Sequence, residues 1–259
     1  MKLGVIADIH AGPDADTQLG SRAPAILDVF CEAMRTFQPD LIVDLGDRIN
    51  SVSTVEDRER LTWVRRVLTQ IGVPVFHVFG NADGGHLAKT ESLSLVGQRE
   101  AYQCIDRWDQ RIVLLDSQDP PVEGVGGEIG PGQAAWLTRI LEGSAKSGLI
   151  FCHHPLDDQD LGGHRYFALR PDLAQVRNRA EIRPLVERGS RVIGAFAGHL
   201  HWTRVSMING IPYVTLGSLV DCAYTAGRPA GTFATVAVGT GVIDVRVSGL
   251  RPGHFEFTR

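Results

Sequence analysis

Seven side chains that can bind a metal ion follow short apolar segments of the sequence. Asp8 and His10 are two residues apart, a spacing that puts both side chains on one side of an extended chain. His199 and His201 repeat that spacing near the other end. The remaining three, each after a further apolar segment, are Asp47, Asn81 and His153. Because the carboxyl ends of neighbouring strands meet at one sheet edge, we expect these side chains to converge.

The donor types indicate which ions such a site would hold. Carboxylate, amide oxygen and imidazole without thiolate suit Mn, Fe, Zn or Co, whereas Mg or Ca would favour oxygen alone. If Asp47 bridges, two ions have four protein ligands each, as in two-metal hydrolases with ions about 3.5 to 4 Å apart. Such a pair activates water for attack on phosphorus. Gly-Asp and Gly-Asn are each ordinary turn dipeptides when taken alone. The ordered recurrence of metal-capable residues after successive apolar segments favours a phosphoester hydrolase.

The elements that must position these residues alternate between strands and helices. Apolar segments predict strands at 2–7, 41–45, 75–79, 149–152 and 192–197. Apolar periodicity predicts helices at 23–37, 56–70, 131–141 and 173–188, with a kink near Pro184. This alternation favours right-handed crossovers and sheets covered by helices.

The sequence after Trp202 is rich in β-forming residues and predicts an antiparallel end. Asn209-Gly210 is typical of a two-residue hairpin turn. A second sheet packed on the first would bury both sets of strands. The tail after Thr215 either completes that sheet or reaches a partner subunit. The segment 156–172 lacks periodicity, and we expect it to be either a lid or an oligomer contact.

Composition limits the class of protein. The chain has 259 residues, of which 43% are hydrophobic and 22% charged, and we expect a single domain over 1–259. The net charge of −4 disfavours charge-driven binding to a nucleic acid polymer or an anionic membrane. The four cysteines form no CxxC pair, which favours reduced thiols. Without a signal peptide or an 18-residue apolar run, the sequence predicts a cytoplasmic location.

The ordered motifs resemble those of the calcineurin-like metallophosphoesterases, whose pattern is DxH, GD, GNH(D/E), a His often within HHP, and GHxH. Here the motifs stand as Asp8-Ile9-His10, Gly46-Asp47, Gly80-Asn81-Ala82-Asp83, His153-His154-Pro155 and Gly198-His199-Leu200-His201. The match runs from residue 1 to about 217. The HHP form is most similar to bacterial class III cyclic-nucleotide phosphodiesterases, although Leu156 stands where those often have a second proline.

The resemblance implies an α/β fold, a four-layer αββα sandwich of two mixed β-sheets flanked by helices. It also implies two divalent transition-metal ions as cofactors. The ligands it implies for one ion are Asp8, His10, Asp47 and His201. Those for the other ion are Asp47, Asn81, His153 and His199.

Ala82 departs from the family pattern, because the family has there a histidine that contacts the phosphate and is proposed to protonate the leaving oxygen. The departure predicts retained metals and turnover lowered about 10²- to 10⁴-fold. Ala82 is either an introduced replacement, which the intact ligand set favours, or a natural residue in a chain that protonates the leaving group otherwise. The motif residue Asp83 and the neighbouring His154 complete the predicted catalytic positions.

Further residues are candidates for contacts with substrate. They are Asn81, Arg48, His86, His164, Arg165 and Tyr166. Arg48 either clamps a phosphate or forms a surface ion pair. His86 either approaches the phosphate in place of the missing acid or is an ordinary loop residue. His164, Arg165 and Tyr166 combine a base, a cation and an aromatic face, which can hold a phosphate and stack on a nucleobase.

These features predict hydrolysis of a small phosphodiester, either a cyclic nucleotide or another cyclic phosphate. One alternative is a phosphomonoesterase or broad-specificity phosphatase. Another is a non-catalytic scaffold, which Ala82 supports and the intact ligand set opposes. A nuclease is disfavoured because no basic stripe with interleaved aromatic residues is present. The expected partner is a small phosphoester, and a homo-oligomer is possible.

Overall fold

Two six-stranded sheets form the centre of the protein. The structure is a computed structural model that describes residues 1–188 and 191–258. With strands numbered in chain order, the first sheet contains β1 (Lys2–Ile6), β2 (Leu41–Asp44), β3 (Val75–His77), β12 (Phe233–Val238), β13 (Val242–Ser248) and β14 (Gly253–Thr258). The second contains β4 (Gln103–Arg107), β5 (Gln110–Leu114), β8 (Ser147–Phe151), β9 (Val192–Ala197), β10 (Arg204–Ile208) and β11 (Ile211–Thr215). A separate pair is formed by β6 (Gln118–Asp119) and β7 (Glu128–Ile129).

Both large sheets are mixed. In the first, β1, β2 and β3 are parallel, and β12, β13 and β14 continue the sheet in antiparallel register from β1. In the second, β5, β8, β9 and β11 are parallel, with β4 and β10 antiparallel at the edges. The parallel strands therefore end together, as the sequence predicted for the metal-capable residues.

Helices cover the outer faces of the two sheets. They are α1 (Ala23–Phe37), α2 (Thr54–Thr69), α3 (Lys89–Leu95), α4 (Pro131–Glu142) and α5 (Arg179–Arg188). Between the sheets, Leu3 and Val43 of the first pack in one core with Leu149 and Phe151 of the second. Separate apolar clusters join α1 and α2 to the first sheet, and α4 and α5 to the second. The predicted four-layer αββα sandwich is confirmed.

Helix boundaries follow from local chemistry. The buried face of α1 repeats at Leu27, Phe30, Cys31 and Met34, the spacing of an amphipathic helix. Ser53 precedes α2 as its N-cap: its hydroxyl oxygen accepts the Glu56 N–H, and its hydroxyl donates to the Glu56 carboxylate. This cap starts the helix two residues before the predicted position.

The prediction of a helix over 173–188 is wrong for its first third. The backbone of this stretch bonds to other segments: Gly127 N–H donates to the Gln175 carbonyl, and Arg177 N–H donates to the Gly127 carbonyl. A helix would need the same groups for its own bonds, so α5 begins at Arg179. Pro184 does lie within the helix, as predicted.

The β-rich end does not form a sheet of its own. The Asn209-Gly210 turn joins β10 to β11 as predicted, but this hairpin extends the sheet of β9, whereas β12, β13 and β14 extend the sheet of β1. The tail therefore completes the first sheet rather than the second. The β4–β5 hairpin was not predicted, because its turn at Trp108-Asp109 carries no glycine. Among the described residues, no helix combines the length and apolar character needed to span a membrane.

Candidate metal centre

The seven predicted ligands lie at one edge of the sandwich. Strands β1, β2 and β3 of the first sheet and β8 and β9 of the second lead into this edge, and we call the seven residues there the ligand edge. The backbone here is unusual. Positive φ angles, from 44° to 69°, occur at Asp8, His10, Asp47, His199 and His201. Side chains with a Cβ rarely adopt this conformation, and such strain concentrates at functional sites. The surrounding fold therefore imposes these side-chain directions at an energetic cost.

Glycines explain how the loops approach one another so closely. An added Cβ at Gly80 would lie 2.2 Å from Asp47 Oδ1 and 2.4 Å from the Asp47 nitrogen. One at Gly46, which has φ +99°, would lie 2.7 Å from the Gly80 nitrogen, and one at Gly198 would lie 2.7 Å from Asp8 Oδ2. The glycine before Asp47, Asn81 and His199 therefore provides space for a neighbouring ligand loop.

The first ligand set consists of Asp8, His10 and His201. The Nε2 atoms of His10 and His201 are 3.1 Å apart. Asp8 Oδ1 lies 3.5 Å from His201 Nε2 and 4.0 Å from His10 Nε2. The ligand atoms of the three residues all lie within 4.8 Å of one another. The three side chains are therefore close enough together to bind one ion.

The second ligand set contains Asn81, His153 and His199. His153 Nε2 lies 3.1 Å from Asn81 Oδ1, and the rings of His153 and His199 are 5.1 Å apart. Asp47 lies between the sets: its Oδ1 is 3.5 Å from His153 Nε2, and its Oδ2 is 3.7 Å from His10 Nε2. One carboxylate therefore faces both ion positions.

Oxygen acceptors on the outer side fix the orientation of the four ligand imidazoles. His153 Nδ1 bonds to the Leu45 carbonyl (2.8 Å), and His199 Nε2 bonds to the Leu173 carbonyl (2.9 Å). The other two pairs are His201 Nδ1 with Asp221 Oδ2 (2.9 Å) and His10 Nδ1 with Asn50 Oδ1 (3.0 Å). Such oxygens only accept, so the outer nitrogen carries a hydrogen, and in the neutral imidazole the inner nitrogen presents its lone pair.

Charge and burial shift the pKa values of these groups in opposite directions. Burial disfavours imidazolium, but at His153 the Asp47 carboxylate outweighs it and raises the pKa to about 9. At His201 burial is likewise outweighed, chiefly by Asp8, and the pKa rises to about 10. Burial and the nearby His153 lower the pKa of His199 to about 3. Bound cations would replace the protons of the His153 and His201 imidazolium groups as the positive charges beside Asp47 and Asp8.

The donor set fits two divalent ions. The inner imidazole nitrogens face one another and the Asp8 and Asp47 carboxylates, and after loss of their protons they would offer lone pairs to cations between them. The residues that would hold the ions are Asp8, His10, Asp47, Asn81, His153, His199 and His201. Oxygen and nitrogen donors without thiolate are those of transition-metal hydrolases.

A cavity of about 700 Å³ opens over the ligand edge. Its lining includes Ala82, whose backbone N–H donates to Asp47 Oδ1 at 2.7 Å. Residues 156–172, which we call the cavity loop, supply Arg165, Tyr166 and Phe167 to the lining. Phe167 also packs against the ligand His199, with ring centroids 4.9 Å apart. The loop predicted as a lid or an oligomer contact therefore borders the ligand edge.

Arg48, a predicted substrate contact, and Asp83, a predicted catalytic position, have structural roles instead. Arg48 is buried, with its guanidinium against the Asp44 and Asp83 carboxylates and the Val78 carbonyl, so it cannot clamp a phosphate as predicted. Asp83 is buried as well and accepts the N–H groups of Asp47, Arg48 and Gly80 at 2.9 to 3.0 Å. It positions the bridging ligand, and it does not line the cavity.

The other three histidines predicted at the site, His86, His154 and His164, have different surroundings in the structure. His164 lines the cavity, but both nitrogens are engaged: Nε2 bonds to the Leu200 carbonyl, and Nδ1 accepts from the Phe167 N–H. It therefore organises the cavity loop rather than offering a free base. His86 is half-exposed, bonds to Ser51 Oγ at 2.9 Å and does not line the cavity. His154 lines the cavity and is fully buried.

Several residues that shape the centre were not predicted. Asp221 and Asn50 hold the outer nitrogens of two ligands, and Thr17 donates to Asp221 Oδ2 at 2.7 Å. None belongs to a motif, and all three pairings span 20 or more residues of sequence. The only available signal was general: ligand histidines need an outer acceptor.

The two-sheet sandwich and the two sets of candidate ligands match the fold and motifs of one protein family. The chain belongs to the calcineurin-like phosphoesterase family, whose sequence profile matches residues 1–203. This family uses divalent metals. The resemblance seen in the motifs is thereby confirmed.

Individual proteins resemble the chain more distantly. It is 29% identical over 210 residues to a cAMP/cGMP dual specificity phosphodiesterase of Mycobacterium tuberculosis, covering 79% of this chain and 60% of that protein. It is also 29% identical over 182 residues to a probable cyclic nucleotide phosphodiesterase of Rhodococcus erythropolis, covering 68% and 56%. The matched regions thus span less than two thirds of these relatives. A dimetal phosphatase from Danio rerio has the same fold, with a TM-score of 0.82, 17% identity and coverage of 99% and 98%.

Proposed function

We propose that the chain hydrolyses a small phosphodiester at two transition-metal ions, with a cyclic nucleotide as the first substrate to test. The proposal rests above all on Asp47, whose two carboxylate oxygens face imidazoles of different ligand sets. A shared carboxylate is the feature that a two-metal site requires and a single-ion site does not. The candidate metals are Mn, Fe, Zn and Co, and the test below compares them.

The chain's own residues would orient both the ions and the substrate. Bound ions would supply an activated water and neutralise phosphoryl oxygens. The Leu45 carbonyl and Asp221 keep His153 and His201 in the tautomers that bind metal. The cavity of about 700 Å³ is of the size that takes a mononucleotide. Tyr166 at its wall offers an aromatic face for a base.

The names of the two bacterial relatives support a cyclic nucleotide as first substrate. To test the proposal, the purified chain would be loaded separately with Mn, Zn, Co or Fe(II). Metal content would be measured beside turnover of bis-aryl phosphate, mono-aryl phosphate and cyclic AMP. We expect two ions per chain and faster diester than monoester hydrolysis, with metal-stripped protein as the control. One ion per chain, or faster monoester turnover, would contradict the proposal.

A non-catalytic binding protein is the second candidate, and Ala82 is the observation that favours it. Ala82→His separates the two, because restoring an acid should raise turnover about 10²- to 10⁴-fold in a catalytic site. Ala223→His is a matched control, since Ala223 lines the same cavity. If neither variant turns over a diester while both bind two ions and phosphate, the binding protein is the better description.

A further inference from the structure

His154 differs from every ligand imidazole around it. It is fully buried, and its Nε2 has no hydrogen-bond partner among residues 1–188 and 191–258. Its ring lies 4.0 Å from that of His199 and 4.8 Å from that of His153, and it lines the cavity. A buried nitrogen without a partner is costly, so it points to a ligand that completes it.

The outer partner of His154 determines what its inner nitrogen can do. The four ligand imidazoles face oxygens that only accept, so their inner nitrogens carry lone pairs for metal. His154 Nδ1 instead lies 2.7 Å from the hydroxyl oxygen of Ser117. A hydroxyl can donate as well as accept. When the four ligand imidazoles are neutral, as metal binding requires, His154 is therefore the imidazole of this cluster that can direct an N–H inward.

The hydrogen bonds of Ser117 favour the His154 tautomer that carries its hydrogen on Nε2. Its Oγ is buried and already accepts the backbone N–H of His154 at 3.4 Å, so its own hydrogen needs an acceptor. His154 Nδ1, at 2.7 Å, is a strong acceptor for that hydrogen, and the nearby Cys152 sulfur is a weaker one. If the hydroxyl donates to Nδ1, a neutral imidazole carries its hydrogen on Nε2.

We propose that the His154 Nε2–H donates a hydrogen bond to a phosphoryl oxygen held at the second ligand set. This chain would thus contact the phosphate with an imidazole from the strand end after β8, in a cavity where Ala82 offers only a methyl group. The inference rests on the proposed function, because it requires a phosphoryl group at the metal centre. It competes with one alternative, in which His154 is a further metal ligand.

Binding of inorganic phosphate to the manganese-loaded protein tests the contact without turnover. His154→Phe keeps a ring but removes the donor, and we expect the phosphate dissociation constant to rise about 10- to 100-fold. His154→Gln retains an N–H donor and should recover most of the affinity. His86→Phe is the matched control, since His86 lies outside the cavity lining, and it should leave binding unchanged. Unchanged phosphate affinity in His154→Phe would overturn the inference.

Metal content separates the proposed contact from a ligand role. Both His154 variants should keep two ions per chain, and loss of an ion from His154→Phe would overturn the inference in favour of a metal ligand. If the wild-type protein binds two ions and phosphate but hydrolyses nothing, the proposed function fails while the phosphate measurement still decides the role of His154. Failure of the loaded wild-type protein to bind phosphate would overturn the inference too.

A double-mutant cycle adds a kinetic readout. If His154 acts in place of the missing motif histidine, then His154→Phe, which removes the donor, should cost less turnover in the Ala82→His background than in the wild type. Equal effects in the two backgrounds would show that His154 does not substitute for that group, and would overturn this part of the inference.

Discussion

The ligand edge and the cavity loop border the same cavity but are held in place by different means. Ligand residues such as Asp8 and Asp47 are buried, adopt strained backbone angles and lie against glycines that allow no added Cβ. In the loop, Arg165 and Tyr166 are exposed, and the Arg165 side chain is held by one ion pair to Asp16. The difference indicates that the ligand edge is fixed by the fold, whereas the exposed Arg165 and Tyr166 side chains of the loop can adjust to what they bind.

Asp47→Asn should produce the largest effect, because it weakens both ligand sets at once. Changing an outer-shell partner typically costs 10- to 100-fold in metal affinity or activity, so we expect a loss of more than about 100-fold from a shared ligand. Metal content and diester turnover would be measured together. Asp157→Asn is the control, since Asp157 is equally buried but bonds to Ser206 away from the ligand edge. Normal metal content in Asp47→Asn would contradict the bridging role.

The pH dependence of metal binding should come next in size. His153 and His201, with pKa values of about 9 and about 10 in the metal-free protein, are charged at neutral pH and must lose a proton to bind metal. Both folded-state pKa values lie above the usual value, so the charged form stabilises the metal-free fold at neutral pH, and this stability is lost as pH rises through 9 and 10.

The combined affinity for two ions should therefore rise about 100-fold per pH unit between pH 7 and 8, with about two protons released per chain. Calorimetry in two buffers of different ionisation enthalpy counts those protons. His86→Phe, which leaves the ligand edge intact, should release the same number. Release of no protons would mean that the two imidazoles are neutral before metal binds.

Asp221→Asn should have a smaller effect, confined to the first ligand set. The amide keeps an oxygen near His201 Nδ1 but removes the charge that favours the metal-binding tautomer. We expect a loss of about 10- to 100-fold in affinity for one ion, with the other ion retained. Anomalous scattering from a Mn-soaked crystal would show which position empties. Equal loss at both positions would contradict the separation of the two sets.

The same contrast explains what could be predicted from sequence. The clustering of ligands after β1 and β9 was predictable, because side chains that follow neighbouring strand ends meet at one edge. The extended-chain spacing does not itself explain Asp8 and His10, since both lie beyond β1 at positive φ angles. Arg48 misled because its distant partner Asp83 determines where its guanidinium lies, and no local pattern reveals that pairing. His164 was likewise predicted to contact substrate, but its Nε2 bonds to the distant Leu200 carbonyl, a pairing that no local pattern reveals.

The layer order of the fold was predictable from the alternation of strand and helix, but strand partners were not. β12 pairs with β1 although more than 200 residues separate them in sequence, for example at the Lys2 and Ala237 pair. Pairings at such separation depend on the whole core, and a period-two pattern cannot specify which edge a strand joins.

Arg165→Ala should have the smallest effect and tests the cavity loop. If its guanidinium holds the distal part of a nucleotide, KM for a cyclic nucleotide should rise about fivefold, the equivalent of one ordinary hydrogen bond. KM for a small aryl diester, which does not reach the loop, should stay nearly unchanged. Equal effects on both substrates would argue against a lid that contacts substrate.

Asp16→Ala distinguishes contact with substrate from support of the loop. Asp16 holds the Arg165 guanidinium at 2.8 Å while both side chains are exposed, and such pairs contribute at most about 1 kcal/mol. If the ion pair merely positions the loop, Asp16→Ala should reproduce the effect of Arg165→Ala. If Arg165 binds substrate, removing its competitor should lower KM or leave it unchanged. The second outcome would make Arg165 a substrate-binding residue on the exposed part of the cavity loop.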